Sequence, residues 1–121
     1  MVDDDRVALA IFRAIFESAG AAVDAVGSGG DALDRLRTTA PDVLLCDVYM
    51  PEMDGFDVIR RVRELPPPAG RIPALAITAH PSFENRRDAL RAGFQDLLGK
   101  PAEPGQLVEL VVRLLRDRLS A

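Results

Sequence analysis

The sequence predicts an α/β domain in which helices cover both faces of a parallel β-sheet. Segments with the periodicity of amphipathic helices alternate with short apolar segments along all 121 residues. Two of the apolar segments, 42–47 and 72–78, show no polar alternation between their ends, which is typical of strands buried on both faces. Because alternating helices and doubly covered strands build parallel sheets, and because the length suits one domain, we expect a single domain over 1–121.

The predicted elements alternate in type from one end of the chain to the other. They are a strand stub at 1–2, a helix over 6–19, a strand over 21–26, a helix within 27–40, a strand over 42–47, a helix over 54–65, a strand over 72–78, a helix over 82–93, a strand over 94–99 and a helix within 101–121. Residues with known preferences for helix ends mark several boundaries. Asp4 or Asp5 can cap the first helix, Gly20 ends it, and Ser28 stands three residues before Asp31 in a capping pattern.

The first strand is predicted to be truncated. A strand usually contains about 5 residues, but only Met1 and Val2 precede the acidic run that begins at Asp3. A missing central strand would leave the backbone groups of both neighbouring strands without partners. We therefore expect low stability, a distorted acidic site, or repair by a partner chain through a swap or a dimer.

Polar side chains stand where the predicted strands end. Asp3 and Asp4 follow the first strand, Asp47 ends the third, Thr78 ends the fourth and Lys100 follows the fifth. In parallel α/β sheets, ligands bind at the carboxyl ends of the strands, and these ends share one edge. The five side chains are therefore expected to meet at one site.

Three carboxylates at such a site repel one another and lose hydration, so they need positive charge nearby. A hard divalent cation with oxygen ligands, Mg²⁺ or Mn²⁺, can supply it together with Lys100. An aspartate beside a cation and an ammonium is a suitable nucleophile for a phosphoryl group. We therefore predict that Asp47 forms an aspartyl-phosphate, to whose oxygens Thr78 donates a hydrogen bond.

Composition argues against several other classes of protein. The net charge is −4 and no basic stripe occurs, so no direct contact with nucleic acid is expected. The one cysteine, Cys46, lies in an apolar run and is expected to be a buried free thiol. No apolar segment of about 18 residues and no signal-peptide pattern occurs, so we expect no membrane insertion and a cytoplasmic location.

Five motifs match a known family in order and spacing: "VDDD", "PDVLLCDVYMPEMDGF", "ITA", "AGF" and "GKP". From Val2 to the end of the final helix, the chain resembles the receiver (response-regulator) domain of two-component signalling. The resemblance implies a flavodoxin-like, doubly wound, five-stranded parallel sheet with the strand order 2-1-3-4-5. It also implies Mg²⁺-dependent transfer of a phosphoryl group from a kinase phosphohistidine to an aspartate. Such a domain is a phosphoacceptor and not an enzyme, apart from its own phosphorylation and dephosphorylation.

The resemblance assigns the site residues of the family to positions of this chain. They are Asp47 as the phosphoacceptor, Asp3, Asp4, Asp47 and the backbone carbonyl of Tyr49 as metal ligands, Thr78 as the switch hydroxyl, and Lys100 as the phosphate-binding lysine. A cis peptide at Lys100–Pro101 is also implied.

The stretches 59–80 and 86–104 resemble receivers of hybrid sensor histidine kinases in finer detail. This resemblance implies two partners, the histidine kinase core and a histidine phosphotransfer protein in a phosphorelay.

Two residues of the site depart from the family. Leu97 stands three residues before Lys100, where Tyr or Phe is usual, so an aromatic switch coupled to Thr78 is not expected. Tyr49 stands two residues after Asp47, where a smaller or polar residue is frequent. Two interpretations of Tyr49 remain open, since it either shields the phosphate from water or only covers the edge of the site.

Other functions remain as alternatives. A hydrolase with an aspartyl nucleophile would need a general acid two residues later, and Tyr49 is a poor one. A nucleotide- or flavin-binding module would need glycines after the first strand, where three acids stand instead. A non-phosphorylated scaffold stays open because of the truncated strand. The wide apolar arc of the last helix is compatible with core packing alone or with a homodimer through that helix.

Overall fold

The computed structural model describes residues 1–120, and Ala121, which ended the predicted last helix, lies outside the described residues. The predicted alternation of helices and strands is confirmed apart from the segment 21–26. The elements are α1 (Arg6–Ser18), α2 (Gly29–Thr38), β1 (Leu44–Asp47), α3 (Gly55–Glu64), a 3-10 helix (Ala69–Arg71), β2 (Ala74–Thr78), α4 (Phe83–Ala92), β3 (Asp96–Gly99) and α5 (Pro104–Ser120).

The three strands form a parallel sheet in the order β1-β2-β3. Beyond β1, the sheet continues as two parallel one-residue bridges, which join Val2 to Cys46 and Val2 to Val26. From one edge to the other, the segments therefore lie in the order 21–26, 1–3, β1, β2, β3. This is the predicted order 2-1-3-4-5, with the first two positions reduced to single bridges.

The first strand is truncated, as predicted, whereas the prediction of a strand over 21–26 is wrong. Val2 makes the hydrogen bonds of a central strand, since its N–H donates to Leu45 O at 2.8 Å and its carbonyl accepts from Asp47 N at 2.8 Å. Too few residues precede Asp3 to extend this ladder further. The segment 21–26 can pair only with that stub, so it forms one bridge and not a strand.

The core consists of two clusters of buried side chains, one on each face of the sheet. Ala74 and Ala76 of β2 pack with residues of α2, α3 and α4, whereas Leu75 and Ile77 pack with residues of α1 and α5. Successive side chains of a strand point to opposite faces, so an uninterrupted apolar strand serves both clusters. This arrangement confirms the prediction that helices cover both faces.

Side-chain caps mark where the helices α1, α2, α3 and α4 begin. The Asp5 carboxylate caps α1, Ser28 Oγ accepts from Asp31 N at 3.2 Å before α2, and Ser82 Oγ caps α4. Asp54 and Asp57 form a reciprocal capping box at the start of α3.

Within residues 1–120, no helix has both the length and the apolar character that a membrane crossing requires.

The Arg63 guanidinium connects α3 to the loops that lead into β2 and β3. It donates to Gly93 O at 3.0 and 2.7 Å, to Ile72 O at 2.6 Å and to Gly70 O at 3.3 Å. Its partial burial lowers the pKa of Arg63. One side chain thus satisfies carbonyls from two connecting segments.

We expect Arg63→Met to destabilise the domain by about 2–3 kcal/mol, because buried carbonyls lose their charged donor. Arg63→Lys should restore only part of this loss, since an ammonium cannot reproduce the planar fork. The matched control is Arg60→Met on the same helix, whose exposed side chain lies 3.7 Å from Asp57 and should contribute less than about 1 kcal/mol. Urea unfolding followed by circular dichroism measures all three, and equal losses for Arg60 and Arg63 would contradict this account.

Candidate functional site

Three carboxylates from two distant parts of the chain meet at the carboxyl ends of the strands. Asp3 and Asp4 follow the bridge residue Val2, and Asp47 is the last residue of β1. Ligand oxygens of the three acids lie within 4.8 Å of one another. The hydrogen bonds of Val2 to β1 are therefore sufficient to bring the acids together, and the short first strand does not separate them.

Lys100 places a positive charge against this cluster. Its Nζ lies 2.7 Å from Asp3 Oδ2 and 3.5 Å from Asp47 Oδ1. The Lys100 backbone N–H donates to Thr78 O at 2.7 Å, which holds the residue beside the end of β2. The Lys100–Pro101 peptide is cis, as predicted. The side chains of Asp3 and Asp47 are only 4% and 8% exposed, so these ion pairs are largely shielded from water.

The electrostatics of the cluster show a shortage of positive charge. Burial, followed by the charge of the neighbouring Asp3, raises the pKa of Asp47 to about 6, although Lys100 acts in the opposite direction. Burial alone would lower the pKa of Lys100, but its hydrogen bond to Asp3 and the charges of Asp47 and Asp3 raise it. One ammonium thus faces three carboxylates, and an additional cation would relieve the remaining repulsion.

The donor set is suited to a hard divalent cation. The three grouped side chains offer carboxylate oxygens only, which are the ligands that Mg²⁺ and Mn²⁺ prefer over nitrogen or sulfur. Mg²⁺ commonly uses one or two protein carboxylates and completes its octahedron with water or phosphate oxygens. The observed cluster therefore matches the predicted chemistry of the site.

Thr78 lies at the same edge, as the last residue of β2, and is fully buried. Its Oγ1 accepts a hydrogen bond from the His80 backbone N–H at 3.0 Å. Because the hydroxyl acts as an acceptor in this contact, its own hydrogen remains available for a second partner. Thr78 can therefore donate toward a group bound at the site.

Tyr49 links the loop after β1 to the start of α4. Its hydroxyl donates to Asn85 Oδ1 at 3.1 Å, and Asn85 Nδ2 donates to His80 O at 2.7 Å. The rings of Tyr49 and His80 meet edge to face with centroids 5.8 Å apart. We call the hydrogen bond from the Tyr49 hydroxyl to Asn85 the Tyr49–Asn85 bridge. Sequence reasoning missed Asn85, because nothing in the sequence shows that a polar helix residue 36 positions away reaches Tyr49.

Gly55 is required by a close approach of α3 to the strand that carries Asp47. A Cβ at this position would lie 2.4 Å from Asp47 O and 2.8 Å from Val48 Cα. The Gly55 N–H also donates to Val48 O at 2.7 Å. Gly55 thus lets the start of α3 pack directly against the backbone of the site.

Leu97 occupies the position where the family usually has Tyr or Phe. Its side chain is 7% exposed and belongs to the core cluster that contains residues of α2, α3 and α4. An aliphatic residue therefore fills the place beside β2 where an aromatic switch would be expected.

Comparison with known proteins identifies the family of this chain. The family model of the response regulator receiver domain matches residues 1–112. An uncharacterized 14.6 kDa protein from the sodA1 3′ region of Leptolyngbya boryana is 45% identical over 111 residues, which cover 92% of this chain and 84% of the relative. The regulatory protein LuxO of Vibrio vulnificus is 35% identical over 116 residues, which cover 96% of this chain but only 25% of LuxO.

Solved structures show the same fold. A putative response regulator from Chloroflexus aurantiacus is 35% identical with a TM-score of 0.90, and the match covers 95% of this chain and 93% of that one. The receiver domain of a sensor histidine kinase from Pseudomonas aeruginosa is 29% identical with a TM-score of 0.86, over 94% of this chain and 93% of that one. That structure contains a magnesium ion coordinated in its active site cleft.

The family match and the fold agree with the arrangement of acids and lysine at the strand ends. The family model covers residues 1–112, and the solved structure from Chloroflexus aurantiacus aligns with 95% of this chain. The chain spans about a quarter of LuxO, whose other parts have no counterpart in these residues. The chain belongs to the response regulator receiver domain family, the phosphoacceptor domains of two-component signalling.

Proposed function

We propose that Asp47 is the phosphoacceptor of this receiver domain and that phosphorylation changes its affinity for partner proteins. The observation that carries the proposal is the meeting of Asp3, Asp4 and Asp47 with Lys100 at one sheet edge. The phosphodonor is a phosphohistidine on a histidine kinase core or on a histidine phosphotransfer protein. The domain acts as a signalling switch and not as an enzyme of turnover.

The chemistry follows from the charges at Asp47. With a pKa of about 6, its carboxylate is mostly ionised at pH 7 and can attack phosphorus. An oxygen–phosphorus bond forms, the phosphorus–nitrogen bond breaks, and its electron pair goes to the leaving imidazole, which takes up a proton. Lys100 and the Thr78 hydroxyl stabilise the charge on the transferred phosphoryl oxygens.

Asp3, Asp4 and Asp47 would hold Mg²⁺ or Mn²⁺, and the backbone carbonyl of Tyr49 stays a prediction as a further ligand. When bound, the cation offsets the charge of the carboxylates and of the phosphoryl oxygens. This assignment is supported by the all-carboxylate cluster of this chain and by the magnesium found in the related receiver.

The conformational response to phosphorylation depends on Thr78, because Leu97 stands where an aromatic switch residue is usual in the family. A phosphoryl group that accepts from the Thr78 hydroxyl would pull on the segment that also contains His80, whose backbone N–H donates to Thr78 Oγ1. The affected surface is then the loop after β2 and the start of α4. Phosphorylation biases two arrangements of that surface with different affinities for partners.

Several finer predictions remain proposals. The related structures include receivers of sensor histidine kinases as well as separate response regulators, so a hybrid kinase parent stays a prediction. A homodimer through α5, the absence of nucleic acid partners and a cytoplasmic location also stay predictions. A non-phosphorylated scaffold is not favoured, because the acids and Lys100 are in contact.

Incubation with Mg²⁺ and acetyl phosphate or phosphoramidate should add one phosphoryl group, because small donors can use the same site. Mass spectrometry of the intact protein should show a gain of about 80 Da. Asp47→Asn should abolish the adduct, whereas Asp34→Asn, at an exposed position of α2, should retain it. An adduct that persists in Asp47→Asn, or its absence in well-folded native protein, would refute the assignment.

Without a divalent cation, Asp47→Asn should stabilise the domain at pH 7.5. The pKa of Asp47 is raised to about 6 in the folded state, so its ionised form disfavours folding above that pH, and the cost disappears below about pH 4. The shift in pKa alone corresponds to about 3 kcal/mol, and solvent screening reduces this value. We therefore expect the free energy of unfolding of Asp47→Asn to be higher by about 1–2 kcal/mol.

Urea unfolding from pH 4 to pH 8 checks this sign, since the advantage of Asp47→Asn should grow with pH. Mg²⁺ should stabilise the native protein more than the variant. The account fails if the two proteins are equally stable at every pH, or if Mg²⁺ stabilises both alike.

Tyr49→Ala should shorten the lifetime of the aspartyl-phosphate severalfold, because the exposed ring and the Tyr49–Asn85 bridge limit the approach of water. Tyr49→Phe removes the hydroxyl, and with it the Tyr49–Asn85 bridge, but keeps the ring. This variant therefore distinguishes the effect of the bridge from the effect of the ring. The measurement is the decay of the phosphorylated mass after removal of the donor. Equal lifetimes in all three proteins would favour the simpler interpretation, in which Tyr49 only covers the edge.

A further inference from the structure

His80 is held at both of its backbone groups, on one side by Thr78 and on the other by Asn85. The His80 N–H donates to Thr78 Oγ1 at 3.0 Å, and the His80 carbonyl accepts from Asn85 Nδ2 at 2.7 Å. Thr78 is the last residue of β2, and Asn85 lies in the first turn of α4. His80 therefore connects the hydroxyl at the site to the start of this helix.

Asn85 is fixed to the first turn of α4 by its backbone. Its N–H donates to Ser82 Oγ at 3.0 Å, and the next N–H, that of Arg86, donates to Ser82 O at 2.9 Å. These bonds close the first turn around Ser82, which is the N-cap of α4. A force on the Asn85 side chain therefore acts on the first turn as a whole.

Both ends of the Asn85 amide are used, and each end meets a group of matching chemistry. Nδ2 donates to the His80 carbonyl, which can only accept, while Oδ1 accepts from the Tyr49 hydroxyl at 3.1 Å. Aspartate has the same length but lacks the donor when it is ionised, and leucine lacks both functions. Asparagine at this position thus suits both contacts at once.

Weak packing makes α4 easy to displace. Within Phe83–Ala92 the one buried residue is Ala89, whereas α3, which has the same length, buries Gly55, Val58, Ile59 and Val62. Segments with few buried contacts are the ones that move at low cost in free energy. The hydrogen bonds at the start of α4 therefore have a large share in fixing its position.

We propose that Asn85 is a positioning residue that passes a displacement of the loop after β2 on to α4. The proposal rests on phosphorylation of Asp47, whose phosphoryl group would accept from the Thr78 hydroxyl and draw this loop toward it. The His80 carbonyl then pulls on the Asn85 amide, and the first turn of α4 follows. Leu97, an aliphatic residue in the core, has no polar side-chain group for this task.

The experiment adds Mg²⁺ and beryllofluoride, a stable analogue of the phosphoryl group, and follows backbone amides in ¹H–¹⁵N correlation spectra. In the native protein, the amide of Lys100 beside the site and the amides of 83–88 in α4 should both shift. Asn85→Ala should keep the shift at Lys100 but show severalfold smaller shifts in α4. The matched control is Arg87→Ala, at an exposed position of the same helix, which should keep both.

Two further variants separate the donor of Asn85 from its acceptor. Asn85→Asp keeps the acceptor for Tyr49 but loses the donor to His80, and α4 stays formed because a carboxylate in the first turn stabilises a helix. This variant should lose the α4 shifts as Asn85→Ala does. Tyr49→Phe keeps the donor to His80 and should retain them.

The inference is overturned if the α4 shifts are the same in the native protein, Asn85→Ala and Asn85→Asp, or if Tyr49→Phe abolishes them. It is also overturned if the Lys100 amide of the native protein shifts while the amides of α4 do not. An unchanged Lys100 amide in the native protein would have a different meaning, since it would refute the phosphorylation of Asp47 and, with it, the inference that rests on it.

Discussion

The contacts of Lys100 with Asp3 and Asp47 are the constraint on which the site depends. A parallel sheet brings the carboxyl ends of its strands to one edge, so acids from separate segments become close neighbours there. Asp3 and Lys100 lie 97 positions apart in the chain, yet their side chains meet at 2.7 Å. Without this ammonium, the buried carboxylates would have no cation in direct contact among the described residues, which is costly. The raised pKa of Asp47 shows that one ammonium compensates them only in part.

Val2 connects this electrostatic site to the packing of the domain. Its backbone bonds hold Asp3 beside Asp47, and its side chain is buried in the cluster beneath α2 and α3.

The sequence was sufficient to predict which residues lie at the ends of the strands. It was much less informative about contacts between loops. Asp47, Thr78 and Lys100 were predictable because uninterrupted apolar runs mark buried parallel strands, and the residue after each run must lie at the shared edge. The segment 21–26 was predicted wrongly as a strand, since its pattern says nothing about the length of its neighbour. The Tyr49–Asn85 bridge was not predictable, because exposed polar pairs leave no periodic pattern.

The sequence by itself determined the family, the alternation of helices and strands, and the identity of the charged residues at the strand ends. These features depend on local patterns, in which apolar periodicity, caps and spacing act over a few residues. Only the tertiary structure decided that the bridges of Val2 are enough to assemble the acids, and that Lys100 contacts both Asp3 and Asp47. The physical reason is that distances between distant segments follow from how the whole core packs, which no local pattern encodes.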